Sequence, residues 1–362
     1  MADNAQNYRG CLLGLAVGDA MGYTIDEKTW EEIQQSYGPN GLLGYDLQNE
    51  EYAQVTSHTQ IAAYLCNGLL LSVSRSRGDH LRYSKLALKE WTRSQQFYRD
   101  PEKTYCWIAK LPMFRQNHCC DTQMLKSHRK EMFGTLEELV GENSAPGAMT
   151  AAVATAMFYN PRRMEAEQVG TLTAQLIALT HGNPETILSG VVLAYALTAI
   201  LQEPEQALDK QFKQAIAVME GQFGSQFPQA ESLAQYLRMI IDMALEGEQF
   251  PQAGMEQMRC VDADQCLAGA MFATLTCPGD FDTAIITAVN HSGASAAVGA
   301  MVGAILGAKL GEGALPEFYL ESLECCEPLR VLATDIVCAT PALGLFDETW
   351  DDKYTQGNVP TF

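Results

Sequence analysis

Positive charge is scarce in this chain: 24 Lys and Arg stand against 44 Asp and Glu, a formal charge of −20 over 362 residues. Nucleic-acid surfaces neutralise phosphates with clustered Lys and Arg, so no nucleic-acid partner is expected. The 11 cysteines include no CxxC pair and their number is odd. That argues against a disulfide framework and for reduced thiols, which points to the cytoplasm. The opening MADNAQNYRG has no basic stretch followed by an apolar one, so it does not read as a secretion signal. The least charged run, Ser292 to Ala308, is barely of spanning length and rich in Ala and Gly, which favours a buried core helix over a membrane segment. Also missing are a GxSxG elbow, an HExxH pair and a GxxxxGK[ST] loop, which removes the commonest hydrolase and nucleotide-triphosphate signatures.

Helical periodicity is what the chain has in abundance. Apolar residues recur at three- and four-residue spacing in Ile61 to Ser72, Met149 to Tyr159, Ile187 to Leu201 and Val298 to Leu310. Turn signals at Gly38-Pro39-Asn40-Gly41, Asn160-Pro161, Asn183-Pro184 and Pro278-Gly279-Asp280 separate such segments. No strand–helix alternation suggests a parallel sheet. The pattern predicts an all-α fold, one compact domain over residues 1–362, with a polar and less periodic excursion near 99–140. Gly10, Gly14, Gly18 and Gly22 recur every fourth residue and would line one helix face with glycine, where another backbone can approach closely. A helix end at Gly18-Asp19 opening onto a site is the alternative reading. Asp280 and Asp282 read as a turn and a helix cap, not as an acid pair.

Specific chemistry enters with four segments: YRGCLLGLAVGDAMGYTID, VTSHTQIAAYLCNGLLL, ALTHGNPETILSGVVLAYAL and AVNHSGASAAVGAMVGAILGAKLG. In order and spacing they resemble the landmarks of the ADP-ribosylglycohydrolase family, from about Tyr8 to Gly311. That resemblance implies an orthogonal helical bundle, and an ancestral activity that cleaves ADP-ribose from an acceptor with two adjacent magnesium ions.

Position by position, the implied site is depleted. The first landmark is kept in Gly18-Asp19-Ala20-Met21-Gly22, with Asp26 where a glutamate is usual. The second normally has Ser or Thr, two aspartates and Thr, and here reads Thr56-Ser57-His58-Thr59. The fourth, normally His-Ser-Gly-Asp-Ser-Asp-Ser, reads His291-Ser292-Gly293-Ala294-Ser295-Ala296-Ala297. Magnesium needs hard oxygen donors, which alanine does not offer, so the vestigial positions Thr56, Ser57, His58, Ala294, Ala296 and Ala297 are expected to hold no metal pair and no cofactor is expected. His58 alone, with no second His or Cys at ligand spacing, is a weak soft-metal site; a hydrogen-bonded or partly exposed histidine is the plainer reading.

The third landmark, usually THGHP, is better kept as Thr180-His181-Gly182-Asn183-Pro184, where His181 is either beside a ligand or a buried histidine that caps helix ends. Asn143 to Thr150 keeps the Gly and Met of a further family stretch but not its Arg. The resemblance therefore implies ligand contacts from Thr56, Ser57, His58, His181, Asn290, Ser292 and Gly293, with main-chain amides near Ser292 and Gly293 able to hold a phosphate. Three functions stay open: a catalytically impaired homologue that binds ADP-ribose, a related nucleotide or a protein partner; a metal-independent hydrolase using Asp26 or Asp19; and a structural role.

Overall fold

A computed structural model describes residues 4–48, 50–75, 79–95, 104–118, 121–130, 132–247, 251–338 and 350–355. Among them the regular structure is helical, with one isolated bridge between Ala53 and Leu323 and no named strand. The four periodic segments all fall in helices: α3 (Ser57–Arg75), α6 (Thr150–Phe158), α8 (Pro184–Gln202) and α14 (Ser295–Leu310), counted with α1 (Asn4–Tyr23) and α2 (Trp30–Tyr37) at the start of the chain. Between α3 and α6 lie α4 (His80–Ser94) and α5 (Thr122–Lys130). Between α6 and α14 come α7 (Ala166–Ala178), α9 (Leu208–Phe223), α10 (Gln229–Glu246), α11 (Pro251–Met258), α12 (Ala263–Thr276) and α13 (Phe281–Val289), and α15 (Glu317–Glu321) and α16 (Cys326–Cys338) follow.

The glycine ladder finds its partner in α14. A Cβ on Gly14 would lie 2.1 Å from the Gly303 carbonyl oxygen, one on Gly18 1.9 Å from that of Gly299, and one on Gly10 2.2 Å from that of Gly307. The register shows that α1 and α14 run antiparallel, backbone against backbone, with Gly22 opposite Ser295. Neither helix could carry side chains on these faces and keep that separation. The pair forms the central spine. It sets the C-terminal end of α1 beside the N-terminal end of α14.

Around the spine α8 is buried along most of its length, with Ile187, Leu188, Val191, Val192 and Leu193 inaccessible to solvent. It is the one helix among the described residues apolar and long enough to cross a membrane, and 78% of that stretch is buried inside the protein, as in a core helix. Asn183 caps it by accepting from the Thr186 amide, and Pro184 occupies the first turn, where a missing N–H costs nothing. The excursion expected near 99–140 contains α5 and two short 3-10 turns, Trp107–Lys110 and Pro112–Arg115. Its residues 99–103, 119, 120 and 131 lie outside the described residues.

Candidate functional site

At the end of the spine the first turn of α3, the turn after α1 and the entry to α14 converge. Asp19, on the last turns of α1, is fully buried. Its Oδ1 accepts from the Thr56 hydroxyl at 2.7 Å, and its Oδ2 accepts from the Thr56 amide (2.9 Å), the Thr59 amide (3.1 Å) and the Thr59 hydroxyl (2.6 Å). The Thr56 hydroxyl in turn accepts from the His58 amide at 3.1 Å, which makes it the N-cap of α3. A carboxyl group at a helix N-terminus whose two oxygens accept four hydrogen bonds is a structural clamp.

Next to this clamp a cavity of about 370 Å³ is bounded by Asp26, His58, Asp121, Gly147, Gly293 and Ala294, among others. Asp26 Oδ1 accepts from the Ala296 amide at 3.0 Å, so this carboxyl caps α14. Burial pushes its pKa up to about 7, with Glu27 and Asp19 adding to the rise, and the Ala296 and Ser295 amides restrain it. His58 is 3% exposed, and neither ring nitrogen has a hydrogen-bond partner among the described residues. Burial lowers its pKa against the pull of Asp19 and Asp121, so the ring is neutral at pH 7 and presents one donor and one acceptor to the cavity.

Asp121, which the sequence did not single out, is the second carboxylate of the cavity. Burial would raise its pKa, but hydrogen bonds from His181, the Met124 amide and Asn143 outweigh it and hold the carboxyl below the ordinary range. His181 Nε2 lies 2.8 Å from Asp121 Oδ2, and Thr180 Oγ1 lies 2.8 Å from His181 Nδ1. Asp121 also accepts from the Met124 amide at 2.8 Å, which caps α5. The cavity thus holds one carboxyl that titrates near neutrality, one that is ionised, and a neutral imidazole.

Gly293 shapes the opposite wall. Its φ of +136° is open to glycine, and a Cβ there would lie 2.6 Å from the Arg259 carbonyl oxygen. Arg259 (φ 62°) and Cys260 (φ 48°) form a strained bend against it, and the Gly293 carbonyl accepts from the Glu27 amide at 3.0 Å.

Of the expected site residues, Asp26, His58, Gly293 and Ala294 meet in this cavity and the others do not line it. Asp19 and Thr56 are spent on each other. Ser57 is buried, its amide donating to the His118 carbonyl at 2.9 Å. His181 stands behind Asp121. Asn290 pins the chain before α3: its Oδ1 accepts from the Leu42 amide at 2.7 Å and its Nδ2 donates to the Leu42 carbonyl at 2.8 Å.

Of the phosphate cradle expected at Ser292 and Gly293, the structure corrects the Ser292 part. The Ser292 amide donates to Glu256 Oε1 at 2.7 Å and its hydroxyl accepts from the Trp30 amide at 2.9 Å. The Ala294 amide donates to the Cys260 carbonyl at 2.8 Å. Glu256 and Asp26 occupy the ground an external anion would take, because a protein carboxylate already in place satisfies the same amides. Only the family resemblance pointed to these amides; Glu256, on α11, carries no sequence signal of its own.

The donor set for a divalent metal pair is not there. Ala294 and Ala296 bring no lone pair, and Ala297 faces a small void with Leu15, Met149 and Val153. The Thr56 hydroxyl is committed to Asp19. Among the described residues no three His, Cys, Asp or Glu side chains converge to hold a metal ion. Asp26 and Asp121 alone would leave two divalent cations poorly balanced and poorly ligated.

The antiparallel glycine spine, the surrounding helices and the cavity at their shared end define an all-helical protein with a pocket at one end of its central helix pair. Residues 1–345 match the family model described as ADP-ribosylglycohydrolase, and the chain belongs to that family. It is similar to a solved structure titled "ADP-ribosylglycohydrolase-related protein complex", with a TM-score of 0.59 and 20% identity, covering 94% of this chain and 99% of the other. At that identity the likeness bears on the fold. Among curated proteins none matches the sequence significantly.

Proposed function

We propose that this protein is a metal-independent, catalytically impaired member of its family, which binds ADP-ribose or a related nucleotide in the Asp26–His58–Asp121 cavity. The observation that carries the reading is His58. Its imidazole lines a cavity that would admit a sugar, and no described residue engages its ring nitrogens, so a donor and an acceptor open onto that cavity. The ionised Asp121 accepts from vicinal hydroxyls, His58 donates and accepts, and Asp26 donates when protonated and accepts when not. Together these suit a ribose diol. The pyrophosphate has no amide nest at Ser292, so recognition rests on the ribosyl end of the ligand.

A second reading is favoured by the two unlike carboxyls. An Asp26 that titrates near neutrality and an ionised Asp121 on one cavity offer the acid and base that glycosidic hydrolysis needs, with Asp121 in the place expected of Asp19.

Calorimetric titration with ADP-ribose, in magnesium and in chelator, tests the proposal. Micromolar binding that is the same in both, weakened about tenfold in His58→Ala, is the expected result. Binding that requires magnesium, or no binding, overturns it. Release of free ADP-ribose from an ADP-ribosylated protein in chelator, lost in Asp26→Asn, would favour the second reading.

A further inference from the structure

Tyr23 and Thr24, just ahead of Asp26 in the turn that ends α1, belong to a different cavity of about 350 Å³. Its walls carry three tyrosines, Tyr23, Tyr45 and Tyr52, and two carboxylates, Asp46 and Glu50, and none of the described residues that line it is basic. Tyr23 and Tyr52 are 38% and 42% exposed, high for rings of this size.

The walls are braced from outside the cavity. The Tyr45 ring sits edge-on to Tyr319 with centroids 5.0 Å apart, and burial raises its hydroxyl pKa so that it stays a neutral phenol. The Tyr23 ring packs on His118 at 5.2 Å. Asp46 is fixed by the Tyr37 hydroxyl, which donates to it at 2.8 Å, and by the Gln48 amide at 3.1 Å. Lys28 lies over the Tyr37 ring at 6.0 Å from its centroid and makes no ion pair with Asp46 or Glu50 among the described residues. The Glu50 carboxylate has no partner among the described residues.

These features share a sign. A tyrosine face presents the negative lobe of its quadrupole and a carboxylate carries negative charge, so a cation gains where it meets either and an anion loses there. A neutral planar group gains from the rings alone. A guanidinium satisfies both sets of walls at once, because it stacks on aromatic faces and offers a fork of donors to a carboxylate.

We propose that this tyrosine-and-carboxylate cavity is a second binding site, one that takes a cationic side chain of a peptide, a guanidinium before an alkylammonium. The proposal is independent of what occupies the His58 cavity.

The full-length protein is titrated with Nα-acetyl-arginine methylamide, with its neutral citrulline counterpart and with ethylguanidinium, and followed by NMR shifts of residues around Tyr52. Saturable millimolar binding of the arginine compound is expected, with citrulline weaker by about tenfold or more and with affinity falling as salt rises. Glu50→Gln and Tyr52→Ala, both at exposed positions, should each weaken it by about threefold to tenfold, whereas Gly221→Ala, on α9 and absent from the cavity's lining, leaves it unchanged. Ethylguanidinium binding as tightly as the arginine compound supports the site and assigns recognition to the cation; much weaker binding adds the peptide groups. Equal binding of citrulline, no arginine binding up to about 50 mM, or insensitivity to both Glu50→Gln and Tyr52→Ala overturns the proposal.

Discussion

Replacing Asp26 by Asn should make the protein gain stability relative to the wild type as pH rises. In the folded state burial pushes the Asp26 pKa up to about 7, whereas in the unfolded chain an aspartate titrates near 3.9. Between those values the native state binds more protons than the unfolded one, so the contribution is fully present below about pH 4 and is lost as pH climbs through about 7. A shift of about three pKa units corresponds to about 4 kcal/mol across the whole window. From pH 5 to pH 7.5 about 2–3 kcal/mol of it is expressed, because part of the shift lies below pH 5. Asn cannot ionise, yet its amide oxygen can still accept from the Ala296 amide, so the variant keeps the cap of α14 and loses only the titration. For a chain of 362 residues the difference is worth about 3–4 °C in melting temperature. Calorimetric melts of both proteins at matched ionic strength from pH 5 to 7.5 would show the Asn variant gaining on the wild type by that amount. Parallel curves would refute the reasoning, since they would mean that Asp26 is ionised in the native state throughout.

Two other outcomes follow from packing and from the buried pair. A Cβ on Gly303 would lie 1.9 Å from the Gly14 carbonyl oxygen, with backbone on both sides and nothing flexible to give, so Gly303→Ala should cost about 3 kcal/mol or more in urea denaturation. Gly221→Ala, in α9 with no atom within 4 Å of the new methyl, should instead stabilise by about 0.5–1 kcal/mol, and equal effects would dismiss the spine. His181→Ala strips Asp121 of a 2.8 Å partner and should cost about 3 kcal/mol at pH 7. The loss should shrink near pH 4, where the stranded carboxyl takes up a proton; a cost that does not change with pH would mean that packing alone was removed.

Much of the helical frame could be read from the chain because it rests on local periodicity. The segments around Ile61, Met149, Ile187 and Val298 each fill a helix, and the spacing of Gly10, Gly14, Gly18 and Gly22 announced a close backbone contact. What that spacing could not supply was the partner, since the match to Gly299, Gly303 and Gly307 is a long-range register. The site was legible only where a landmark coincided with the cavity, at Asp26, His58, Gly293 and Ala294. Thr56, Asn290 and Ser292 were misplaced because their hydrogen bonds run inward, and whether a hydroxyl or amide faces a ligand or a neighbouring helix depends on atoms distant in sequence. Asp121 opens a short polar helix in the least periodic part of the chain, where an aspartate reads as an ordinary cap. Its second role comes from His181, 60 residues further on.

The backbone contact between α1 and α14 separates shape from chemistry. The turn bearing Asp26 and the entry to α14 are held a fixed distance apart by main-chain atoms that every residue type possesses, and by glycines whose contribution is the lack of a side chain. Two sides of the cavity are therefore set by main chain, whichever side chains line the rest. A wall can exchange aspartate for alanine or histidine and leave those two sides where they were. Altering the ligand, or giving up a reaction, then asks for point changes at the rim and leaves the frame as it was.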